Sequence, residues 1–182
     1  MPGDRRPNRA QVRVAVLDSA LLAAACALTW WLVVRGLAAV HSVSHADDRL
    51  GALWAVVSTV FVCRFSYHES MKAALSRVAA TFVSFSLCLV YLIFLPFHIW
   101  GLALLIGLSA LVVILIGRPG DAVTAAITTT VVIGIAAISP HNAWQQPILR
   151  FADTVIGAAI GVVAAWIGLR LIGHDARAAR SR

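Results

Sequence analysis

Six apolar runs, separated by short polar connections, dominate this chain of 182 residues. They are Val14 to Val34, Leu50 to Phe65, Val78 to Phe97, Ile99 to Gly117, Asp121 to Ser139 and Phe151 to Gly173. A helix needs about 20 mostly apolar residues to cross the hydrocarbon core of a bilayer, with roughly 17 to 25 tolerated. The pattern therefore predicts an all-α integral membrane protein with six transmembrane helices over residues 14–173 and polar tails at 1–13 and 174–182. The second run is short and must borrow flanking residues or bend. Pro96, Pro119 and Pro140 stand at run ends, where a missing N–H costs least. Composition excludes the soluble alternative. The chain is 60% hydrophobic and 13% charged, against about 45–50% and 25% in an ordinary soluble domain.

The formal net charge of +7 does not point to nucleic acid, because almost every Arg stands at the end of an apolar run and no solvated basic domain exists to hold a groove. It reads instead as topology. Lys and Arg are retained on the cytoplasmic side of a membrane. Twelve fall on one side: Arg5, Arg6, Arg9 and Arg13, then Arg64, Lys72 and Arg77 in a loop, Arg118 at a turn, and four from Arg170 to Arg182. Only Arg35, Arg49 and Arg150 fall on the other, so both termini are expected in the cytoplasm. The four N-terminal arginines before Val14 resemble the start of a signal peptide. The run continues through Trp30, Trp31 and Val34 to spanning length, and is expected to be a retained first helix.

Nothing in the chain resembles a catalytic or cofactor site. Cys26, Cys63 and Cys88 lie in or beside apolar runs without CxxC spacing, as packing residues do. His41 and His45, beside Asp47 and Asp48, have zinc-compatible spacing only on a helix, and the segment reads as a loop. His68-Glu69 lacks the second His of a metalloprotease helix, and no phosphate loop or activated Ser or Cys is present. No enzyme, cofactor or metal is expected.

An internal repeat is visible. Arg77-Val-Ala-Ala-Thr81-Phe-Val-Ser84 opens the third run and Arg150-Phe-Ala-Asp-Thr154-Val-Ile-Gly157 the sixth. The 73-residue offset superimposes the third span of each half. With three spans per half, an odd number, the halves cross in opposite directions. The expected architecture is two inverted three-helix repeats, about 14–97 and 99–173.

Charged and polar residues inside these runs are the candidates for function. An Arg at mid-membrane costs about 2.5 to 3.5 kcal/mol on insertion scales, so Arg77 and Arg150 are expected to face water, protein or a counter-ion. Snorkelling to headgroups is the plain alternative. Arg150 is the sharper candidate because it lies on the side poor in positive charge, where its planar fork suits a carboxylate. Asp153, one turn on, is the alternative internal partner. Thr81 and Thr154 accompany the two arginines. Thr128, with Thr124, Thr129 and Thr130, forms a hydroxyl stripe that either lines an anion path or bonds helices together. Asp18, Asp121 and Asp153 are the candidate proton carriers, with a helix-start role the alternative for Asp121. Gly157, Gly161 and Gly168, with Ala164, give the sixth helix a small-residue packing face, expected to support self-association through Gly157 and Gly161.

Gly51-Ala-Leu-Trp54-Ala-Val-Val-Ser-Thr59, followed by Glu69-Ser-Met-Lys-Ala-Ala-Leu-Ser-Arg77-Val-Ala-Ala-Thr81, resembles the second and third spans of the fusaric acid resistance (FUSC) and aromatic acid exporter family, which is related to the plant aluminium-activated malate channels. Arg150 to Gly161 is similar to that family's last span, Arg-x-x-Asp-Thr-x-x-Gly-x-x-x-Gly, and the resemblance covers about 45 to 165. This chain has Ala80, Thr81 and Ser84 where the family pattern has Gly-Thr and Gly, which alters helix packing there. The resemblance implies export of small organic anions, aromatic carboxylates foremost, across a bacterial inner membrane. Many members carry a further domain or a second bundle, so this half-size unit is expected to form a homodimer. A channel-like anion pore, or a membrane partner that transports nothing, are the other readings.

Overall fold

A computed structural model describes residues 9–37, 45–64, 66–138 and 143–172. These residues are almost wholly helical and contain no strand. Helix α1 (Arg9–Trp31) runs on into a π-helical stretch, Leu32–Leu37. It is followed by α2 (His45–Val62), α3 (Tyr67–Phe94), α4 (Ile99–Leu115), α5 (Ala122–Ile138, led by the 3-10 turn Pro119–Asp121) and α6 (Gln145–Ile172). Among the described residues four stretches are long and apolar enough to cross a bilayer: Val12–Gly36, Tyr67–Phe94, Pro119–Ile138 and Gln145–Leu171. Helix α4 has 17 residues and falls just short of that length. Helix α2 has 18 but carries Asp47, Asp48 and Arg49 at its start. Large apolar side chains such as Leu17, Phe82, Trp100, Leu115 and Leu171 lie on the outside. Such a surface would associate in water but meets acyl chains in a bilayer. The protein is a multi-pass membrane protein.

Three helix starts differ markedly from those expected. Helix α3 begins at Tyr67 rather than Val78, so Lys72 and Arg77 are helical and not loop residues. Its first turns carry Glu69, Lys72 and Ser76, which lower hydropathy without breaking the helix, and Glu69 near the N-terminus suits the macrodipole. Helix α6 begins at Gln145, which places Arg150 in its second turn. Helix α2 begins at His45, so Asp47, Asp48 and Arg49 are helical too. Arg5, Arg6, His41, Pro140 and the tail arginines Arg177, Arg180 and Arg182 lie outside the described residues.

The ends have local causes. Leu95 is extended (φ −132°, ψ 138°), as a residue before proline prefers, and this stops α3 at Phe94. Gly117 closes α4 at φ +85°. Its N–H donates to Ile114 O, and that of Arg118 to Val113 O, which completes a Schellman motif.

The most extensive helix pair is α2 with α6. They run in the same direction, Gly51 lying against Asp153, Ala55 against Gly157 and Val62 against Gly161. A Cβ on Gly157 would fall 2.1 Å from the carbonyl oxygen of Ala55, so only glycine permits this approach. Helices α3 and α6 run antiparallel: Phe85 meets Phe151 at 5.4 Å between ring centroids, while Ala74 clusters with Ala158 and Val62. Hydroxyls tie the helices together in two chains. Thr29 and Thr59 share a hydrogen bond of 2.9 Å between α1 and α2, and Thr59 Oγ1 lies 3.0 Å from Gly157 O on α6. Thr129 on α5 donates to Ser109 Oγ on α4 at 3.0 Å, and Ser84 on α3 donates to Ala125 O on α5 at 2.9 Å.

Candidate functional site

The buried charges collect where α2, α3 and α6 meet. Arg77 on α3 is 4% exposed, Arg150 on α6 1% and Asp153 4%. Each is carried there by the tight packing that small residues allow. Gly51 on α2 leaves room for the Asp153 carboxylate, since a Cβ there would fall 2.9 Å from Oδ2.

The two arginines have different surroundings. Arg150 Nη1 lies 3.2 Å from Asp153 Oδ2 across one helical turn, so the internal partner that the spacing allowed is in place. Arg77 has no carboxylate within salt-bridge distance among the described residues. Its guanidinium carbon instead stands 5.3 Å from the ring centroid of Trp54 and 4.6 Å from that of Phe61, both on α2. Arg77 Nε and Nη2 are buried with no hydrogen-bond acceptor, and Thr81 Oγ1, one turn along, is buried without a partner as well. Arg77 stands ten residues after Tyr67, about 15 Å along the helix axis, and its side chain is covered by neighbouring helices rather than turned to the surface.

Trp54 joins the two regions. Its indole Nε1 donates to Thr154 Oγ1 at 3.0 Å, and the Thr154 hydroxyl donates to Arg150 O at 2.9 Å. One aromatic residue of α2 therefore contacts the guanidinium of one Arg-x-x-x-Thr segment and the threonine of the other. Sequence reasoning named the arginines and threonines but not the roles of Trp54, Phe61 and Gly51. The available signal was Trp54 within the quoted α2 segment. An aromatic ring in an apolar run looks the same whether it faces lipid or a cation.

The remaining candidates lie elsewhere. Thr128 and Thr130 donate to Thr124 O and Ala126 O of their own helix, and Thr129 bonds to α4. Asp121 accepts from Ser76 and lies 3.7 Å from Arg118 at the turn into α5. Asp18 is half-buried on α1. Gly157 and Gly161 turn inward against α2, and Gly168 is buried. The face expected to join two copies is thus consumed within the protomer, which corrects that expectation. Among the described residues no three His, Cys, Asp or Glu gather to hold a metal. A cavity of about 430 Å³ opens where the end of α3 meets Ala136 and Trp144, lined by Phe94, Pro96 and Phe97 and by no charged side chain.

The arrangement offers an anion one buried guanidinium with unsatisfied donors, a free hydroxyl beside it and aromatic walls. The family model described as "Fusaric acid resistance protein-like" matches residues 36–164, which include both arginines, Trp54 and the whole of α2 to α5. No curated protein and no solved structure gives a match.

Proposed function

Because this chain belongs to the fusaric acid resistance protein-like family, we propose that it is a membrane transporter of the efflux type. Its cargo is small organic anions, aromatic carboxylates foremost. The carrying observation is Arg77, a cation buried among apolar helices with hydrogen-bond donors that no protein group accepts. Burying an unpaired charge is costly, and two ring faces return only about 0.5 to 2 kcal/mol each. An anionic ligand supplies what is missing.

Six crossings as two inverted repeats belong to the same proposal. Its support is the correspondence of the two hydroxyl chains: α1 to α2 to α6 through Thr29, Thr59 and Gly157 O, and α4 to α5 to α3 through Thr129, Ser109, Ser84 and Ala125 O. Each helix of one half has its counterpart in the other, and the Arg-x-x-x-Thr segments fall on the antiparallel pair α3 and α6. A bacterial inner membrane and cytoplasmic termini are part of the proposal, supported by the Lys and Arg distribution. So is a homodimer, formed through a surface other than the Gly157 face.

The test is accumulation and toxicity of fusaric acid and benzoate in cells with and without the protein, with benzamide as the uncharged control. Cells making the protein should hold less of the acids and tolerate more of them, and treat benzamide alike. Equal accumulation of both acids at verified protein levels would reject the transporter.

A further inference from the structure

We propose that Arg77 and Thr81, not Arg150, bind the transported anion, and that the ligand carboxylate takes at Arg77 the place that Asp153 takes at Arg150. The inference rests on the transporter reading and narrows it to one site and one charge type.

The two Arg-x-x-x-Thr segments differ at one decisive position. Three residues after Arg150 stands Asp153, which lies 3.2 Å from its guanidinium. Three residues after Arg77 stands Ala80, packed in an apolar cluster with Val113 and Ala125. The anion is built into one half and absent from the other. The threonines follow the same division. Thr154 accepts from Trp54 and donates to Arg150 O, while the Thr81 hydroxyl has no partner. In the segment with Asp153 the guanidinium has a carboxylate as its ion-pair partner and the threonine hydroxyl is hydrogen-bonded. In the segment with Ala80, Arg77 Nε and Nη2 and Thr81 Oγ1 remain buried and unmatched.

The ring contacts do not replace an anion. The faces of Trp54 and Phe61 attract the charge of Arg77 but present no lone pair to its N–H groups. A carboxylate presents two acceptor oxygens that fit the guanidinium fork. The class of ligand follows from the buried charged side chains, which among the described residues are Arg77, Arg150 and Asp153; the half-buried Asp48 lies near Asp153 and forms no ion pair with Arg77. With Arg150 balanced by Asp153, one positive charge is left to match, so a monocarboxylate fits and a dicarboxylate brings a second charge without a partner. The neighbouring rings favour an apolar or aromatic body. Phe61, 44% exposed at the last turn of α2, holds its ring 4.6 Å from the Arg77 guanidinium carbon.

The experiment is calorimetric titration of the purified, detergent-solubilised protein with benzoate, fusaric acid, succinate and benzamide. Wild type is compared with Arg77→Gln, Ala80→Asp and the double variant Arg150→Gln/Asp153→Asn. Wild type should bind benzoate in preference to succinate and ignore benzamide. Arg77→Gln should weaken benzoate by roughly 10- to 150-fold, the loss of one charge-assisted contact. Ala80→Asp, which supplies a carboxylate at the position of Asp153, should abolish binding while leaving Arg77 in place. The double variant, which keeps the shapes and removes both charges, should bind as wild type does. Ala80→Asp buries a new charge, so if it does not fold, Arg77→Gln decides alone. Undiminished benzoate binding by folded Arg77→Gln, or binding lost only in the double variant, overturns the assignment and leaves the transporter standing. Wild type that binds neither benzoate nor fusaric acid overturns both.

Discussion

Arg150 and Asp153 act as a unit, since each is buried and each lies against the other. Removing one partner of a buried pair leaves an uncompensated charge and costs about 3 to 5 kcal/mol. Arg150→Gln and Asp153→Asn should therefore each lower thermal stability in detergent sharply, and their combination should recover much of the loss. Additive losses in the double variant would mean that the two side chains act separately. Gly51→Ala tests the seat of the same carboxylate, because the added methyl falls 2.9 Å from Asp153 Oδ2. Overpacking of this kind costs about 1 to 3 kcal/mol, and a melting temperature equal to wild type would contradict the contact. The chemistry-bearing residues were legible because charge is conspicuous in an apolar run: Arg77, Arg150 and Asp153 all stood out. Their pairing was not, since a residue three positions away is only a candidate partner until the helix is placed. Trp54 and Phe61 were hidden because nothing in an apolar run separates a ring that faces lipid from one that faces a guanidinium.

At the scale of helices, close approach of α2 and α6 and the hydroxyl chains hold the bundle. Leu at Gly157 drives a side chain into the Ala55 carbonyl, whose oxygen lies 2.1 Å from the first added carbon. The expected result is loss of monodisperse protein on size-exclusion chromatography. A well-folded Gly157→Leu protein with altered cross-linking between copies would restore the self-association face. Interhelical hydrogen bonds in membranes contribute about 0.6 kcal/mol on average and up to about 1 to 2 in model peptides. Thr59→Val, which breaks links to both α1 and α6, should therefore destabilise more than Thr130→Val, whose hydroxyl bonds its own helix on the exposed side. Equal melting temperatures would remove the hydroxyls from the account of packing. Helix identity was legible in the sequence and helix starts were not, for a physical reason. Hydropathy marks where a helix meets lipid, whereas α3 is already helical through Glu69, Lys72 and Ser76 before its apolar stretch begins. Ser84 also departs from the glycine of the family pattern to some purpose, since its hydroxyl bonds the Ala125 carbonyl of α5.

For the whole molecule, helix length and packing bear on the number of crossings. By length and composition four are sufficient, and α2 and α4 are marginal. Their 18 and 17 residues span about 27 and 26 Å, a few ångströms less than the roughly 30 Å of hydrocarbon, and a shortfall of that size is absorbed by local thinning at modest cost. Packing favours crossing. Helix α2 lies alongside α6 in the same direction from Gly51 to Val62, and α4 is tied to α5 through Ser109 and Thr129. This companionship supports the proposal that α2 and α4 cross with their neighbours. The two alternatives differ in where the links face. With the N-terminus inside, six crossings put Ser66 inside and His98 outside, while four crossings through α1, α3, α5 and α6 put Ser66 outside and His98 inside and require α3 and α6 to run the same way, against their antiparallel packing. The C-terminus is inside in both cases, so terminal reporters do not separate them. Single cysteines at Ser66 and His98, in a chain with Cys26, Cys63 and Cys88 replaced by Ala, do. His98→Cys should react with a membrane-impermeant maleimide in spheroplasts and Ser66→Cys only in inverted vesicles. The reverse pattern would leave four crossings and remove the inverted repeat with them.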